Sequence, residues 1–443
     1  MSQQPETRPP DSGSSNRGRG ARLMQRLDEL AAFSEEPGRL TRRYLSASHI
    51  EAAQRVEHWM REAGLATSID ALGTVRGRLE GARPHLPALL LASHIDTVRD
   101  AGKYDGALGV LAAIAAAEEI RERGRPLPFA LEVYAFGDEE GIRFPTTLMS
   151  SLAVSGRLAP NCLDGEDAEG IPVKDALAAR GLDPAGIAAI ARKAEDIVAY
   201  FELHIEQGPQ LEAAGIALGA VSGMSGPLRL EVTVNGEAGH AGTVPMGQRR
   251  DALSAAAEMV LAVESAAAQD PLVVGTVGRL TVEPGAVNVI PGLVRFTIDL
   301  RSPDDARRGE AERAIRSAVA AIAQRRKVEA NIAIMHQGPA LAFDPQIIEA
   351  CRTAIRRVGV EPLTLHSGAG HDAISFVGFC PTGMMFVRCL KGISHNPSES
   401  ITLEDGDIAQ RALVAFVDVL AERRVEDAQR KSLRRTGEAK GGK

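Results

Sequence analysis

The stretch "FALEVYAFGDEEGIRFP", residues 129–145, begins with a largely apolar run and then places three carboxylates side by side. An apolar run of this length is typical of a strand buried on both faces, as in a parallel sheet that helices cover. The carboxylates of Asp138, Glu139 and Glu140 repel one another, so holding them together costs folding free energy. We therefore expect a use for them at the end of the strand, and we interpret that use as metal binding.

Three further runs of the same kind occur in the chain: "PALLLASHID" at 87–96, "DIVAYFELHI" at 196–205 and "GMMFVRC" at 383–389. The first of them is followed by an Ala-rich helical pattern, "LGVLAAIAAAEEIRER" at 108–123. Strands that alternate with helices indicate an α/β sheet. The sequence therefore predicts an α/β catalytic domain built around four buried strands.

Residues 228–336 have a different order of elements, which is β-α-β-β-α-β. This is the order of the ferredoxin-like split βαβ unit, which forms a complete α+β domain. The chain returns to α/β character afterwards, so we expect this domain to be inserted into the first. The predicted division is a disordered tail at 1–21, a catalytic domain at 22–220 and 337–425, an inserted domain at 221–336 and a disordered tail at 426–443.

Composition limits the function classes to which the chain can belong. A length of 443 residues favours two domains, and 44% hydrophobic with 25% charged residues is ordinary for a globular enzyme. The net charge of −7 argues against nucleic-acid binding, and no apolar run is long enough to span a membrane. The polar N-terminus has no secretory h-region. We therefore expect a cytoplasmic protein whose cysteines, which form no CxxC pair, are reduced thiols.

Each buried strand is followed by side chains that can bind a metal ion. Because ligands in open α/β sheets bind beyond the carboxyl ends of the strands, we expect these side chains to share one edge. In chain order they are His94, Asp96 and Asp105, then Asp138, Glu139 and Glu140, then His204, Glu206 and Gln207, and last His395. Taken singly, a histidine at a strand end is more often a hydrogen-bonded loop residue, and adjacent glutamates are more often a solvated turn. The joint pattern favours metal.

Imidazole and carboxylate together form the ligand set of zinc, manganese or nickel, and this set suits two ions that share a bridging carboxylate. Two such ions can ionise a water and polarise the bond it attacks, a reaction that also needs a general base outside the ligand set. Adjacent carboxylates on a turn point in different directions, so one of Glu139 and Glu140 can bind metal while the other holds the water. Asp96 is placed to accept the second ring N–H of His94.

Seven motifs follow one another in the chain: "SHIDTV…KYDGALGV", "DEEGIRF", "ELHIEQGPQLE", "GHAGTVPMGQRRDAL", "AVNVIPG", "SGAGHDA" and "GISHNPSES". Together they resemble the allantoate amidohydrolase and N-carbamoyl-L-amino-acid hydrolase family of the di-metal aminoacylase and carboxypeptidase clan, and the resemblance covers about residues 24–423. The resemblance implies two divalent ions, zinc or manganese, with cobalt or nickel as further options. It implies Glu139 as the general base, Asp105 as the bridge, and as metal ligands His94, Asp105, Glu140, His204 and His395.

The resemblance also implies roles in the inserted domain, which would act as a lid and form a homodimer. His240 would close over the substrate carbonyl, often from the partner subunit, while Asn288 and Arg301 would hold the substrate carboxylate. Gln207 and His371 would be further substrate-binding residues, and Asp96 would support catalysis. Without the resemblance, His240 fits a hydrogen-bonded turn residue, and Arg301 fits a surface ion pair at a strand end.

The reaction that the resemblance implies is hydrolysis of a ureido C–N bond next to a carboxylate, with allantoate as the first substrate. In "SGPLRLEVTVNG", however, Pro227 and Leu228 stand where allantoate-acting members often carry polar residues, which makes N-carbamoyl-L-amino acids a close second. An aminoacylase or dipeptidase of the wider clan is a third hypothesis, against which "HIEQGP" and "SGAGHDA" argue. The alternative outside enzymes is a metal-dependent binding protein, but such a site has no need of the base Glu139.

Overall fold

The computed structural model describes residues 12–438, and it describes side chains for residues 18–427, 429 and 430. The chain divides into two compact units. The first comprises the chain through Ser222, Phe343–Leu365 and the chain from His371 onward, and the second comprises Gly223–Ala342 and His366–Gly370. The second unit thus begins close to the predicted start at 221 and ends later than 336. It also includes a short segment, His366–Gly370, that the sequence did not assign to it.

The elements of the described chain are ten helices and sixteen strands, apart from short 3₁₀ turns. The helices are α1 (Ser12–Ala31), α2 (Ala47–Glu62), α3 (Ala107–Glu122), α4 (Met149–Val154), α5 (Val173–Ala178), α6 (Gln210–Ala214), α7 (Ala252–Ala267), α8 (Asp305–Arg326), α9 (Pro345–Arg357) and α10 (Leu403–Glu438). The strands are β1 (Ala66–Ile69), β2 (Val75–Leu79), β3 (Ala88–His94), β4 (Ala130–Phe136), β5 (Ile197–Ile205), β6 (Leu218–Met224), β7 (Gly226–Asn235), β8 (Gly239–His240), β9 (Val274–Thr276), β10 (Leu280–Glu283), β11 (Val289–Ile290), β12 (Leu293–Ser302), β13 (Glu329–Gln337), β14 (Leu341–Ala342), β15 (Leu363–Ser367) and β16 (Thr382–Val387).

The sheet of the first unit has the strand order β1-β2-β4-β3-β5-β16-β6. The four middle strands run parallel, whereas β1, β2 and β6 pair antiparallel with their neighbours. Every residue of β3, β4 and β16 is buried, which explains why these strands are continuous apolar runs in the sequence. The α/β prediction is confirmed, with antiparallel strands added on both sides of the parallel core.

The four parallel strands end at one edge of this sheet. His94 lies beside Phe136 in the pairing of β3 with β4, and His204 lies beside Phe386 in the pairing of β5 with β16. Strands that end together bring the loops that follow them together. The loops after β3, β4, β5 and β16 therefore meet at this edge, on a platform whose core is continuous with α1, α2, α3, α9 and α10.

The second unit contains an antiparallel sheet with the strand order β10-β12-β7-β13, and β9 also pairs with β12. Helices α7 and α8 share a core with alternate residues of these strands, for example Leu228, Leu230 and Val232 of β7. The residues between them, such as Arg229 and Glu231, lie on the opposite, open face. Order and pairing are those of a ferredoxin-like α+β unit. A separate two-stranded ladder joins β8 to β11.

The two predicted tails differ from the structure. Helix α1 begins at Ser12, inside the tail predicted at 1–21, and Arg19 forms ion pairs with Glu119 and Glu122 of α3. Helix α10 continues to Glu438, because the residues after 425 are mostly strong helix formers. Residues 1–11 and 439–443 lie outside the described part. Between residues 12 and 438, none of the helices is both long and apolar enough to cross a membrane.

Candidate active site

The loop between β3 and α3 carries Asp105 to the sheet edge where His94 and His204 end their strands. Gly106, the next residue, has a φ of +63°, and a Cβ on it would lie 2.5 Å from ring atoms of His94. Only glycine fits this close approach with this backbone conformation. The N–H of Gly106 donates to Nε2 of His204 at 3.3 Å. The sequence "YDGA" thereby places the aspartate against both imidazoles.

Asp105 stands between two groups of possible ligands. Its Oδ1 lies 3.0 Å from Nε2 of His204 and 3.5 Å from Nε2 of His94. Its Oδ2 lies 3.3 Å from Nε2 of His395, which is 3.6 Å from Oε2 of Glu140. In each group the ligand atoms lie within 4.8 Å of one another. The two oxygens of Asp105 therefore face different groups, as the two oxygens of a bridging carboxylate must.

The electrostatics of these groups fit divalent cations. Burial raises the pKa of Asp105, but the imidazoles of His204, His395 and His94 outweigh it and hold the pKa well below its usual range. Burial, with the charge of Asp105 added, raises the pKa of Glu140 to about 7. A set of carboxylates and imidazoles at these distances, with side chains buried except for that of His395, is a donor set for cations, whose charge removes the repulsion between the carboxylates.

The three adjacent carboxylates at the end of β4 have different surroundings. Glu140 belongs to the group of Asp105 and His395, whereas Glu139 lies near His94 and Glu140 but in neither group that contains Asp105. Burial raises the pKa of Glu139 well above its usual value, and Glu140 adds to the effect. Asp138, at a φ of +64°, is buried and accepts a hydrogen bond from Thr146 at 2.7 Å. It shapes the turn and belongs to none of these ligand groups.

Asp96 has two contacts that matter for this site. Its Oδ1 and Oδ2 accept the backbone N–H groups of Glu139 and Glu140, each at 3.2 Å. Its backbone oxygen lies 3.0 Å from Nδ1 of His94, closer than its Oδ1 at 3.6 Å. The sequence predicted the carboxylate as the partner of the imidazole. The structure gives the closer contact to the carbonyl, because the carboxylate is turned towards the neighbouring loop and orients the two glutamates.

Gln207 and His371 also lie in the first unit. The Nε2 of Gln207 donates to Oδ2 of Asp105 at 2.9 Å, so this side chain supports the bridging carboxylate directly. His371 is buried, with its ring centroid 4.4 Å from that of His204. Sequence reasoning gave no role to Ser394 and Glu399, whose side chains also reach Asp105 or its backbone. The one signal was their place in "GISHNPSES", beside His395.

His240 and Asn288 are neighbours in the second unit. His240 pairs with Val289 in the β8–β11 ladder, and the N–H of Ala241 donates to the backbone oxygen of Asn288 at 2.9 Å. Both predicted residues are exposed. Arg249 of "GQRR" donates to the backbone oxygens of Val244 and Ala241, at 3.1 and 2.6 Å. The motifs "GHAG" and "VNV" thus meet in one two-stranded ladder, and Arg249 binds the backbone that follows His240.

Arg301 lies at the end of β12, on the open face of the sheet in the second unit. It donates to both oxygens of Asp299, at 2.7 and 2.9 Å, and to the backbone oxygen of Gly368 at 2.7 Å. A guanidinium has five N–H groups, so these bonds leave one further N–H on each terminal nitrogen. Arg229 donates to the same Asp299 at 3.2 Å, which leaves the three side chains with a net positive charge.

A cavity of about 610 Å³ lies against this arginine pair, and its lining includes Val274 and Met335. Both apolar side chains are more than half exposed, at 59% and 54%. Pro227 lies opposite Arg301 in the β7–β12 pairing, whereas Leu228 is buried in the helix-covered core. Of the two replaced polar positions, therefore, only 227 lies on the face of Arg301. Leu228 lies on the other face, which the helices cover, because strand residues alternate between faces.

Comparison with known proteins places the chain among hydrolases. The model of peptidase family M20/M25/M40 matches residues 90–419. The chain belongs to this family. An N-carbamoyl-L-amino acid amidohydrolase of Geobacillus stearothermophilus is 40% identical over 404 residues, which cover 91% of this chain and 99% of the relative. An allantoate deiminase of Arabidopsis thaliana is 38% identical over 426 residues, which cover 89% of this chain and 81% of the relative.

Solved structures agree with the M20 assignment. An amidase of the hydantoinase/carbamoylase family from Burkholderia multivorans superposes with a TM-score of 0.85 at 33% identity, and covers 91% of this chain and 98% of its own. The resemblance seen in the seven motifs is confirmed. The relatives include an N-carbamoyl-L-amino acid amidohydrolase and an allantoate deiminase. The chain is therefore an M20 hydrolase that acts on carbon–nitrogen bonds.

Proposed function

We propose that the chain hydrolyses the ureido C–N bond of a ureido acid, with allantoate as the first substrate. The observation that carries the proposal is Asp105, which faces one ligand group with each oxygen while Glu139 stands beside them outside both groups. That arrangement combines a two-ion centre with a free carboxylate base, as hydrolysis of an unreactive urea requires. The names of the relatives support the same bond type.

His94, His204 and Asp105 would hold one ion, and Asp105, Glu140 and His395 would hold the other. The ions, zinc or manganese and otherwise cobalt or nickel, lower the pKa of a water and polarise the carbamoyl oxygen when they are bound. Glu139 takes the proton of the attacking water and returns it to the leaving nitrogen. One water is consumed, and allantoate yields ureidoglycine, ammonia and carbon dioxide.

The second unit would serve as lid and dimer contact. The remaining N–H groups of Arg301 bind the substrate carboxylate as a fork, with Asn288 as a second polar contact. From the partner subunit, His240 stabilises the developing negative charge on the carbamoyl oxygen. It lies on the β8–β11 ladder, and Arg249 donates to the backbone oxygen of the adjacent Ala241. Closure driven by the carboxylate would complete the site only for a substrate that carries one. The same proposal includes a small-molecule substrate, a location in the cytoplasm and assembly as a homodimer.

N-carbamoyl-L-amino acids are the second candidate, and the surroundings of Arg301 favour them. Pro227 has no side-chain donor or acceptor for a second ureido group, and the nearby cavity includes exposed Val274 and Met335. A second ureido group left unpaired there would cost about 1–3 kcal/mol, whereas an apolar side chain would gain contact.

Product release by metal-reconstituted enzyme tests the proposal, with ammonia measured for the ureido acids and free amino acid measured for the acyl and peptide substrates. Allantoate should be compared with N-carbamoyl derivatives of apolar, polar and acidic L-amino acids, with N-acetyl amino acids and with dipeptides, at equal concentrations. Turnover of any ureido acid well above the acyl and peptide substrates supports the reaction, and the order within the panel selects the substrate. Turnover of only acyl or peptide substrates would identify a clan aminoacylase or dipeptidase. Tight binding without turnover would identify a binding protein.

A further inference from the structure

Glu399 is a buried carboxylate that joins two segments of the candidate metal centre. It is 5% exposed, and its Oε1 accepts the backbone N–H groups of Tyr104 at 2.9 Å and Asp105 at 3.1 Å. Its Oε2 lies 2.9 Å from Oγ of Ser394, which is itself 3.0 Å from Oδ2 of Asp105. Gly102 packs so closely that a Cβ on it would lie 2.3 Å from the glutamate. The carboxylate is thereby fixed on both sides.

His395 needs such support more than the other histidine ligands do. Its side chain is 51% exposed, whereas those of His94 and His204 are 1% exposed. His94 and His204 belong to strands of the central sheet, but His395 lies in a loop with a φ of +55°, a left-handed conformation unfavourable for a non-glycine residue. Such a conformation persists only where the surroundings enforce it. The contact of Ser394 with Glu399 does so at the adjacent residue.

We propose that Glu399 is a positioning residue that sets the affinity of the second ion, the one assigned to Asp105, Glu140 and His395. It holds the backbone of the bridging aspartate and the loop of His395 at a fixed distance from each other. The first ion depends on two strand-borne histidines, which the sheet positions without Glu399. The inference rests on the proposed two-ion centre, and it predicts that loss of Glu399 weakens the ions unequally.

The hydroxyl of Ser394 makes it possible to distinguish the effect of the position of Glu399 from the effect of its charge. A hydroxyl has one proton, so Ser394 donates at any moment to either Asp105 or Glu399. Glu399→Gln keeps an acceptor oxygen for the two backbone N–H groups and adds an amide that donates to Ser394, which leaves the hydroxyl proton for Asp105. Glu399→Ala removes every one of these contacts. A positioning role therefore predicts that Glu399→Gln retains the function that Glu399→Ala loses.

Equilibrium dialysis against graded free Zn²⁺, with ions per chain counted by mass spectrometry, tests this inference on the full-length protein. Wild type should bind two ions. Glu399→Ala should bind the first ion within about threefold of wild type and the second about 10- to 100-fold more weakly. Glu399→Gln should bind both within about threefold. Glu404→Ala, at an exposed carboxylate in the first turn of α10, is the matched control and should equal wild type.

Three results would overturn the inference: both ions retained at wild-type affinity in Glu399→Ala, both weakened equally, or Glu399→Gln as impaired as Glu399→Ala. If Glu399→Ala does not fold, Ser394→Ala decides by the same measure, with selective weakening of the second ion in support and unchanged binding against. A wild type that binds fewer than two ions would instead refute the proposed centre itself, so the two failures are distinguishable.

Discussion

Replacing Glu139 by glutamine should remove most of the rate and leave the metal centre filled. The amide has nearly the same shape, and the backbone N–H of Glu139 would keep its bond to Asp96 at 3.2 Å. Neither ligand group that contains Asp105 includes Glu139, so ion affinity should change little. Burial and the neighbouring Glu140 raise the pKa of Glu139, so a neutral side chain also relieves repulsion there. The fold should therefore be no less stable than that of wild type.

The expected loss is that of a general base, on the order of 10²–10⁴-fold in kcat. This corresponds to about 3–5 kcal/mol of transition-state stabilisation. The assay is ammonia release at saturating ureido acid, with ions per chain counted on the same preparation. Glu140→Gln is the matched control, because it should lose the second ion. If Glu139→Gln lost an ion while Glu140→Gln kept both, the two roles would be exchanged, and near-normal kcat in Glu139→Gln would refute the base.

Arg301→Lys should raise KM about 10- to 100-fold with little change in kcat, because one ammonium cannot replace both the bonds to Asp299 and the fork to the carboxylate; an unchanged KM would refute the contact. His240→Ala subunits mixed with Glu139→Gln subunits should regain activity, since one site of a mixed dimer carries neither change, and failure despite proven subunit exchange excludes a shared site. Ion affinity should rise as pH increases through and above the usual histidine pKa of about 6.5, because Asp105 outweighs burial and raises the pKa of the three histidines, whose protons must leave before metal binds. Affinity independent of pH would contradict this.

The sequence was sufficient to predict the features of the fold that follow from its pattern of apolar residues. Four apolar runs predicted four buried strands, and these became β3, β4, β5 and β16. Because parallel strands end at a common edge, the side chains after them were expected together, and the structure brings His94, Asp105, Glu140, His204 and His395 within ligand distance. The order of elements at 228–336 likewise predicted the ferredoxin-like unit.

Features set by loop conformation could not be predicted from the sequence. Periodicity does not encode the backbone turns that decide which oxygen of Asp96 contacts His94. The same holds for the contact of Gln207 with the bridging carboxylate. Glu399 lies 294 residues after Asp105 in the chain, so nothing in its own motif indicated the contact. The tail at 1–21 was predicted as disordered from its polar composition, but composition did not show that Arg19 pairs with acidic residues of α3.

The most direct test of the central claim is an anomalous-difference map from crystals of the zinc-loaded protein. The account predicts two peaks about 3.5–4 Å apart, one on each side of the Asp105 carboxylate. His94 and His204 should ligate one, and Glu140 and His395 the other. A single peak, two peaks that do not share Asp105, or a peak ligated by Glu139 in place of Glu140 would contradict it.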